Sequence, residues 1–341
     1  MAGVHSVQGL VARRLAPLET AAIPAAARER LQTQIRAQHL FTLSLTADLF
    51  RILQCFSDAH VGTVLVKGPV LSQVAYGNPS VRSYVDLDLL VRHRDIQSAS
   101  NRMMEIGFHP EVSGAIIRAG KIPGEYLFRR PGTRRVVELH TENSFRYYPK
   151  PMRIDDLFAR HRHLLLDGRE VPALSLEDEF VLMCIHGAKH FWERLMWVSD
   201  VSAVLAAHPE LDWGEIRNAA QQVGAERMVR VAIQLASLVL RSGIPASLAT
   251  EIREDRAIVS LCRQIQTWLP YAGAAPPPLP RRALFRLQMA GGGLTGTAYL
   301  LRLSLSPTQE DWTEGNEDRR FWLWDALRRP FRLFRKYGSN Q

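Results

Sequence analysis

Two aspartates one residue apart, Asp86 and Asp88 in the run Val-Asp-Leu-Asp-Leu-Leu-Val, are the residues whose type and spacing most directly imply chemistry. In an extended strand successive side chains alternate between faces, so the two carboxylates share one face and Leu87 and Leu89 the other. Like charges at that spacing repel, and a bound cation relieves the repulsion; Mg²⁺ in particular is held by one or two carboxylates together with substrate phosphate oxygens. The predicted chemistry is metal-dependent phosphoryl or nucleotidyl transfer, with Mg²⁺ or Mn²⁺ activating an attacking oxygen and neutralising the leaving pyrophosphate. Glu138, in the strand-like run Arg-Arg-Val-Val-Glu-Leu-His, is the best third carboxylate, and His140 on the same strand face could orient it or accept a proton. The plainer reading is an acidic turn at a strand edge, because Asp-x-Asp alone occurs in many unrelated proteins.

The upstream company of the pair sharpens the reading. A short apolar run, Gly-Thr-Val-Leu-Val, ends at Lys67-Gly68, and Arg82 precedes the acidic strand. Gly68 would let the backbone approach a triphosphate, Pro69 suits the first turn of a helix, and Lys67 and Arg82 could offset phosphate charge. The alternatives are a simple strand-to-helix turn at Gly68, and a solvated charge or a salt bridge to the aspartates for Lys67 or Arg82.

With Lys67-Gly68, Tyr76-Gly77, Arg82 and Asp86-Leu87-Asp88-Leu89-Leu90-Val91 in that order, the chain resembles the uncharacterised nucleotidyltransferases of the DNA polymerase β-like superfamily. The resemblance extends to Glu138-Leu139-His140, to His186-Gly187-Ala188-Lys189-His190 with Trp192, Arg194 and Asp200, and to the Pro-Phe-Arg-Leu-Phe-Arg run from Pro330. It implies an α+β fold with a mixed β-sheet bearing the aspartates, a nucleoside triphosphate partner with Mg²⁺, and transfer of a nucleoside monophosphate to an acceptor. Asp86, Asp88 and Glu138 are then the expected catalytic and metal residues, and Lys67, Gly68, Tyr76, Arg82, His186, Lys189 and His190 the expected nucleotide contacts. Two departures stand out. The usual glycine-serine pair at the phosphate-binding helix is Gly68-Pro69 here, which removes a hydroxyl and a backbone N–H, and Val85 stands where a small or polar residue often precedes the first aspartate.

The elements that must position these residues are legible from periodicity. Residues 1–60 read as helices, since His-Leu-Phe-Thr-Leu-Ser-Leu-Thr-Ala-Asp-Leu-Phe is apolar at helical spacing without glycine or proline. Residues 61–172 switch to short β-branched runs with a helical stretch near Ile96 to Ile106, the expected nucleotidyltransferase domain. Ser175 with Asp178 three residues on predicts a helix cap, opening a helical domain over residues 173–272. There His186 and His190 share a face at i and i+4; they lack the intervening glutamate and third ligand of a zinc helix. Arg194 and Asp200 are expected to position that helix, while Trp192 and Trp197 read as core. Residues 273–341 read as a proline-rich linker, a helix broken or closely packed at Gly291-Gly292-Gly293, and a basic aromatic tail.

Composition sets the outer bounds. With 341 residues and 46% hydrophobic content, two or three modest cores are expected. Cys55, Cys184 and Cys262 lie far apart, which excludes a disulfide framework or zinc knuckle and predicts a cytoplasmic setting. No uninterrupted apolar run precedes Arg13 and Arg14, and no later stretch reads as long enough to cross a membrane, so a soluble protein without a signal peptide is expected. The net charge is +9, and between residues 319 and 336 seven cations face only Asp325, so six of the nine net charges sit there. This weakens the case for a wide nucleic-acid groove. It keeps two alternatives to an enzyme in view: a nucleotide-binding scaffold, and a membrane-surface or nucleic-acid adaptor acting through the tail. The acceptor, whether small molecule, sugar, peptide, protein or RNA, and the oligomeric state are not legible.

Overall fold

The computed structural model describes residues 2–17, 23–118, 124–141, 147–150, 153–271 and 278–306. Two helices open the chain, α1 (Gln8–Leu15) and α2 (Ala25–Asp58). The sheet follows, with strands β1 (Thr63–Val66), β2 (Asp86–Val91), β3 (His109–Pro110), β4 (Glu125–Arg129), β5 (Val136–His140), β6 (Arg162–Leu166) and β7 (Arg169–Ala173). Helices α3 (Gly68–Tyr76), α4 (Ile96–Glu105), α5 (Gly114–Arg118) and α6 (Ile154–Arg160) connect them. Eight more helices complete the described chain: α7 (Leu176–Lys189), α8 (Leu195–Ala207), α9 (Trp213–Val223), α10 (Glu226–Leu240), α11 (Ala246–Glu254), α12 (Arg256–Trp268), α13 (Leu279–Met289) and α14 (Gly293–Leu305).

The strand order is β3-β4-β5-β2-β1-β7-β6. The sheet is mixed, because β2 runs parallel to β5 and β1 parallel to β7 while the other neighbours are antiparallel. The chain therefore has the expected α+β architecture with a mixed sheet. β2 lies in the middle of the sheet, and its Leu87, Leu89, Leu90 and Val91 are buried. The β6–β7 hairpin turns on Asp167-Gly168, both with positive φ (46° and 78°), which is the backbone that a two-residue turn between twisted strands requires.

The core is continuous among the described residues, running from Val7 through the sheet and helices to Met289, with a small satellite at Ala290, Tyr299 and Leu303. The expected separate cores merge because α3 packs on α8, so the sheet-side and helix-side apolar faces cover each other. Ser175 caps α7 as anticipated, its hydroxyl accepting from the Asp178 N–H at 3.1 Å and donating to the Asp178 carboxylate at 2.9 Å. α2 is long and apolar enough to cross a membrane by length and composition, contrary to the expectation from sequence. Nothing in residues 25–58 breaks the helix, and its Leu45, Leu49, Ile52 and Phe56 are fully buried in the core.

Candidate functional site

Strand pairing builds the carboxylate centre. β2 and β5 run parallel with Asp88 opposite Glu138 and Leu90 opposite His140, so alternation puts Asp86, Asp88, Glu138 and His140 on one sheet face. His140 Nε2 donates to Asp88 Oδ1 at 2.9 Å and lies 3.4 Å from Glu138 Oε2. The ligand atoms of Asp88, Glu138 and His140 all lie within 4.8 Å of one another. On the other side β1 pairs Val66 with Asp88, and the next residue, Lys67, sets its ammonium 3.3 Å from Asp88 Oδ1.

The charges of this centre are strongly coupled. Burial and then the fields of Asp88 and Glu138 push Asp86 up to about 7, with Lys67 and Arg82 pulling the other way. Burial would also raise Asp88, but Lys67 and the hydrogen bond from His140 override it and hold that carboxyl well below the usual range. Burial opposes charge on His140 as well; its hydrogen bonds to Asp88 and Glu138 win and raise it to about 10. One carboxyl is thus poised to titrate near pH 7 while its neighbour is firmly ionised, the condition expected where buried carboxylates crowd together.

Lys67 reaches Asp88 from a backbone that few residues adopt. Its φ is 54° and that of Gly68 is 48°, so two consecutive residues are left-handed at the turn from β1 into α3. Gly68 carries no Cβ penalty there, and Pro69 fills the first turn of α3, where no N–H partner is lost. Lys67 is held instead by Glu179 of α7, whose Oε1 accepts the Lys67 N–H at 3.1 Å. Glu179 is buried and its Oε2 has no hydrogen-bond partner among the described residues; burial raises its carboxyl to about 7, against the pull of Lys67. No local pattern marks Glu179 in the sequence, because it meets Lys67 across 112 residues.

Tyr76 and Arg82 meet at a different carboxylate. The Tyr76 hydroxyl donates to Asp200 Oδ1 at 2.8 Å, and Arg82 Nε donates to Asp200 Oδ2 at 2.8 Å. Asp200 is fully buried and Arg82 only 5% exposed. Of the two residues expected to position the α7 region, Arg194 lies 5.8 Å from the ring of Trp197, and Asp200 is claimed by Arg82. The reason is helical geometry, since Arg194 is the residue before α8 and Asp200 faces inward from its second turn.

At the end of α7 the rings of His186 and His190 lie 4.7 Å apart, tilted by 59°, and His190 stacks on Trp197 at 5.1 Å. Burial, then the fields of Lys67 and His190, keeps His186 neutral; burial, then Lys189 and Lys67, lowers His190 to about 3. Lys189 sits 4.5 Å over the ring of Tyr147. Trp192 is fully buried, and a Cβ on Gly187 would meet its ring at 2.6 Å, so it is core, as expected. Phe191 and Trp192 both have positive φ, a kink that the buried ring and the Trp192 N–H bond to the Gly187 carbonyl at 2.9 Å hold in place.

The N-terminal helices brace the strand that carries the aspartates. Gln8 and Gln38 both hydrogen-bond to Ser83, each at 2.8 Å, and α1 packs so closely that a Cβ on Gly9 would lie 2.2 Å from the Val81 carbonyl. Gly291, Gly292 and Gly293 all have positive φ and form the break between α13 and α14, in line with the expected helix interruption. The basic aromatic tail from residue 307 onward, with the adaptor reading that rests on it, lies outside the described residues.

The family described as uncharacterised nucleotidyltransferase matches residues 1–241. Among solved structures, the antibiotic-resistance factor ANT(2'')-Ia is 11% identical with a TM-score of 0.38, over 53% of this chain and 91% of that one. The lincosamide antibiotic adenylyltransferase LnuA is 18% identical with a TM-score of 0.30, over 40% and 83%. An antigenic nucleotidyltransferase-like protein from Paracoccidioides brasiliensis is 18% identical with a TM-score of 0.37, over 62% and 92%. Comparison with curated proteins gives no match. By a match that spans the N-terminal helices, the sheet and α7 to α10, the chain belongs to the uncharacterised nucleotidyltransferase family and is an enzyme of nucleotidyl transfer.

Proposed function

We propose that the protein transfers a nucleoside monophosphate from a nucleoside triphosphate to an acceptor, with Asp86, Asp88 and Glu138 holding Mg²⁺ or Mn²⁺. The observation that carries this reading is the approach of the Asp88, Glu138 and His140 ligand atoms to within 4.8 Å, with Asp86 on the same face of β2. The donor set fits the ion: burial, and then the crowding of hard carboxylate oxygens from Asp88 and Glu138, drives Asp86 toward neutrality, and added positive charge would relieve it. When bound, the ion supplies charge neutralisation at the phosphates and at the departing pyrophosphate.

The chain's own residues have separate tasks in this reading. Lys67 and His140 balance Asp88 and fix its orientation. Gly68 keeps the backbone low beside the triphosphate, while His186, Lys189 and His190 face it from α7. Tyr76 and Arg82, committed to Asp200, position the turn that enters β2. The acceptor nucleophile bonds to the α-phosphorus, the bond to the pyrophosphate breaks, and the acceptor's proton is released. Thermal stability of the full chain against each ribonucleoside triphosphate, with and without Mg²⁺, tests the reading. A metal-dependent rise for at least one nucleotide, lost in Asp86→Asn, is the expected result; the same rise in the variant overturns it.

A further inference from the structure

Three cations collect on the helical side of the centre without an opposing carboxylate among the described residues. Lys189 ends α7, Arg194 precedes α8, and Arg286 lies in the last turn of α13, beyond the residues matched by the family. Lys189 and Arg286 share one ring: Lys189 Nζ is 4.5 Å and Arg286 Cζ 5.9 Å from the centroid of Tyr147. Arg286 also lies 5.0 Å from the ring of Phe191, and Arg194 is 5.8 Å from that of Trp197. None of the three forms an ion pair with a carboxylate of the described residues, although ion pairs are frequent elsewhere on the chain. Arg286 Nε is buried with no hydrogen-bond partner among them.

Aromatic faces attract cations individually, but they do not cancel the mutual repulsion of several gathered together. An anion does, and guanidinium groups present paired donors that match phosphate oxygens. We propose that Lys189, Arg194 and Arg286 form an anion subsite next to the carboxylate centre, built to take a phosphate-bearing group. α7 links the subsite to the centre: Glu179 near its start accepts the Lys67 N–H at 3.1 Å, and Lys189 ends it. His186 and His190, their rings 4.7 Å apart at that end of α7, add hydrogen-bonding capacity. This deepens the proposed function and rests on it: the phosphate belongs either to the triphosphate of the donor or to a phosphorylated acceptor. It also predicts that a polycationic acceptor is a poor substrate.

The test is calorimetric titration of the full chain with inorganic triphosphate, comparing the natural sequence with Arg286→Gln, Arg286→Lys and Lys189→Gln. Arg253→Gln, an exposed site on α11, controls for the lost charge. The expected result is a tenfold or greater loss of affinity in Arg286→Gln and Lys189→Gln, partial recovery in Arg286→Lys, and no change in the control. Competition with the nucleoside triphosphate assigns the subsite to the donor; simultaneous binding assigns it to the acceptor. Equal affinity in all variants overturns the subsite, as does an absence of triphosphate binding. If the nucleotide-dependent stability shift that requires Asp86 persists in that case, only the subsite falls; if it is missing too, the proposed function falls with it.

Discussion

Two buried aspartates, Asp88 and Asp200, are each paired with two donors, and the difference between them separates a site from a brace. Asp200 is saturated: Arg82 and Tyr76 take one oxygen each at 2.8 Å, and no exposed surface remains. At Asp88 Lys67 and His140 converge on one and the same oxygen, Oδ1, at 3.3 and 2.9 Å, with Glu138 3.4 Å beyond the imidazole and Asp86 two residues away. One arrangement spends its charge internally. The other leaves carboxylate oxygens crowded together and short of positive charge, which is a cost to the fold alone and an asset to a protein that binds cations and phosphates.

Removing each carboxylate is the strongest way to break this contrast. Asp88→Asn is expected to lower turnover roughly a thousandfold or more, equivalent to about 4 kcal/mol of transition-state stabilisation, with the protein still folded by circular dichroism. A variant that is active, or that is inactive only because it is unfolded, would put Asp88 in the same class as Asp200. Asp200→Ala should do the opposite and destabilise the fold by about 3–5 kcal/mol in denaturant titration, because it strands the buried Arg82. A loss below about 1 kcal/mol would show that Arg82 finds another partner or reaches solvent.

Glu179 sharpens the comparison as a third buried carboxylate. Its folded-state value is raised from 4.5 to about 7, so the folded protein holds this proton more tightly than the unfolded chain. Its contribution to stability is therefore complete below about pH 4.5 and is lost as pH rises to about 7. Relative to Glu179→Gln, the natural protein should lose up to about 3 kcal/mol of stability between pH 4.5 and 7.5. A pH-independent difference would mean that the carboxyl finds solvent or a cation. The smallest expected effect is that of Tyr76→Phe, which deletes one of the two bonds to Asp200 and should cost about 1 kcal/mol; turnover unchanged in the same variant would keep Tyr76 out of the chemistry.

Local patterns carried much of the sheet and little of the braces. The alternation in Asp86–Val91 and Val136–His140 identified both strands that bear the carboxylates, because a half-polar strand writes its two faces into consecutive residues. The β6–β7 hairpin escaped notice although its Asp167-Gly168 turn is a readable signal between two apolar runs. Asp200 is different in kind. It sits 118 residues from Arg82, and nothing in the order of residues pairs the two. Glu179 and Arg286 are equally hidden, since nothing in the local pattern of α7 or α13 announces which polar residue turns toward another element.

The N-terminal segment also constrains the order in which the protein can assemble. Leu195 donates its backbone N–H to His5 Nδ1, and the N–H of Met196 bonds to the His5 carbonyl, contacts that close a loop of about 190 residues. Such a closure is paid for only after the intervening sheet and α7 hold the two ends near each other, so it belongs late in folding. The first helix would then be among the last elements to dock, and with it the brace on Ser83 that steadies the approach to β2. The strand bearing the aspartates would exist before it is tightened, and refolding followed from the N-terminus should show a slow phase in which activity returns after the bulk of the secondary structure.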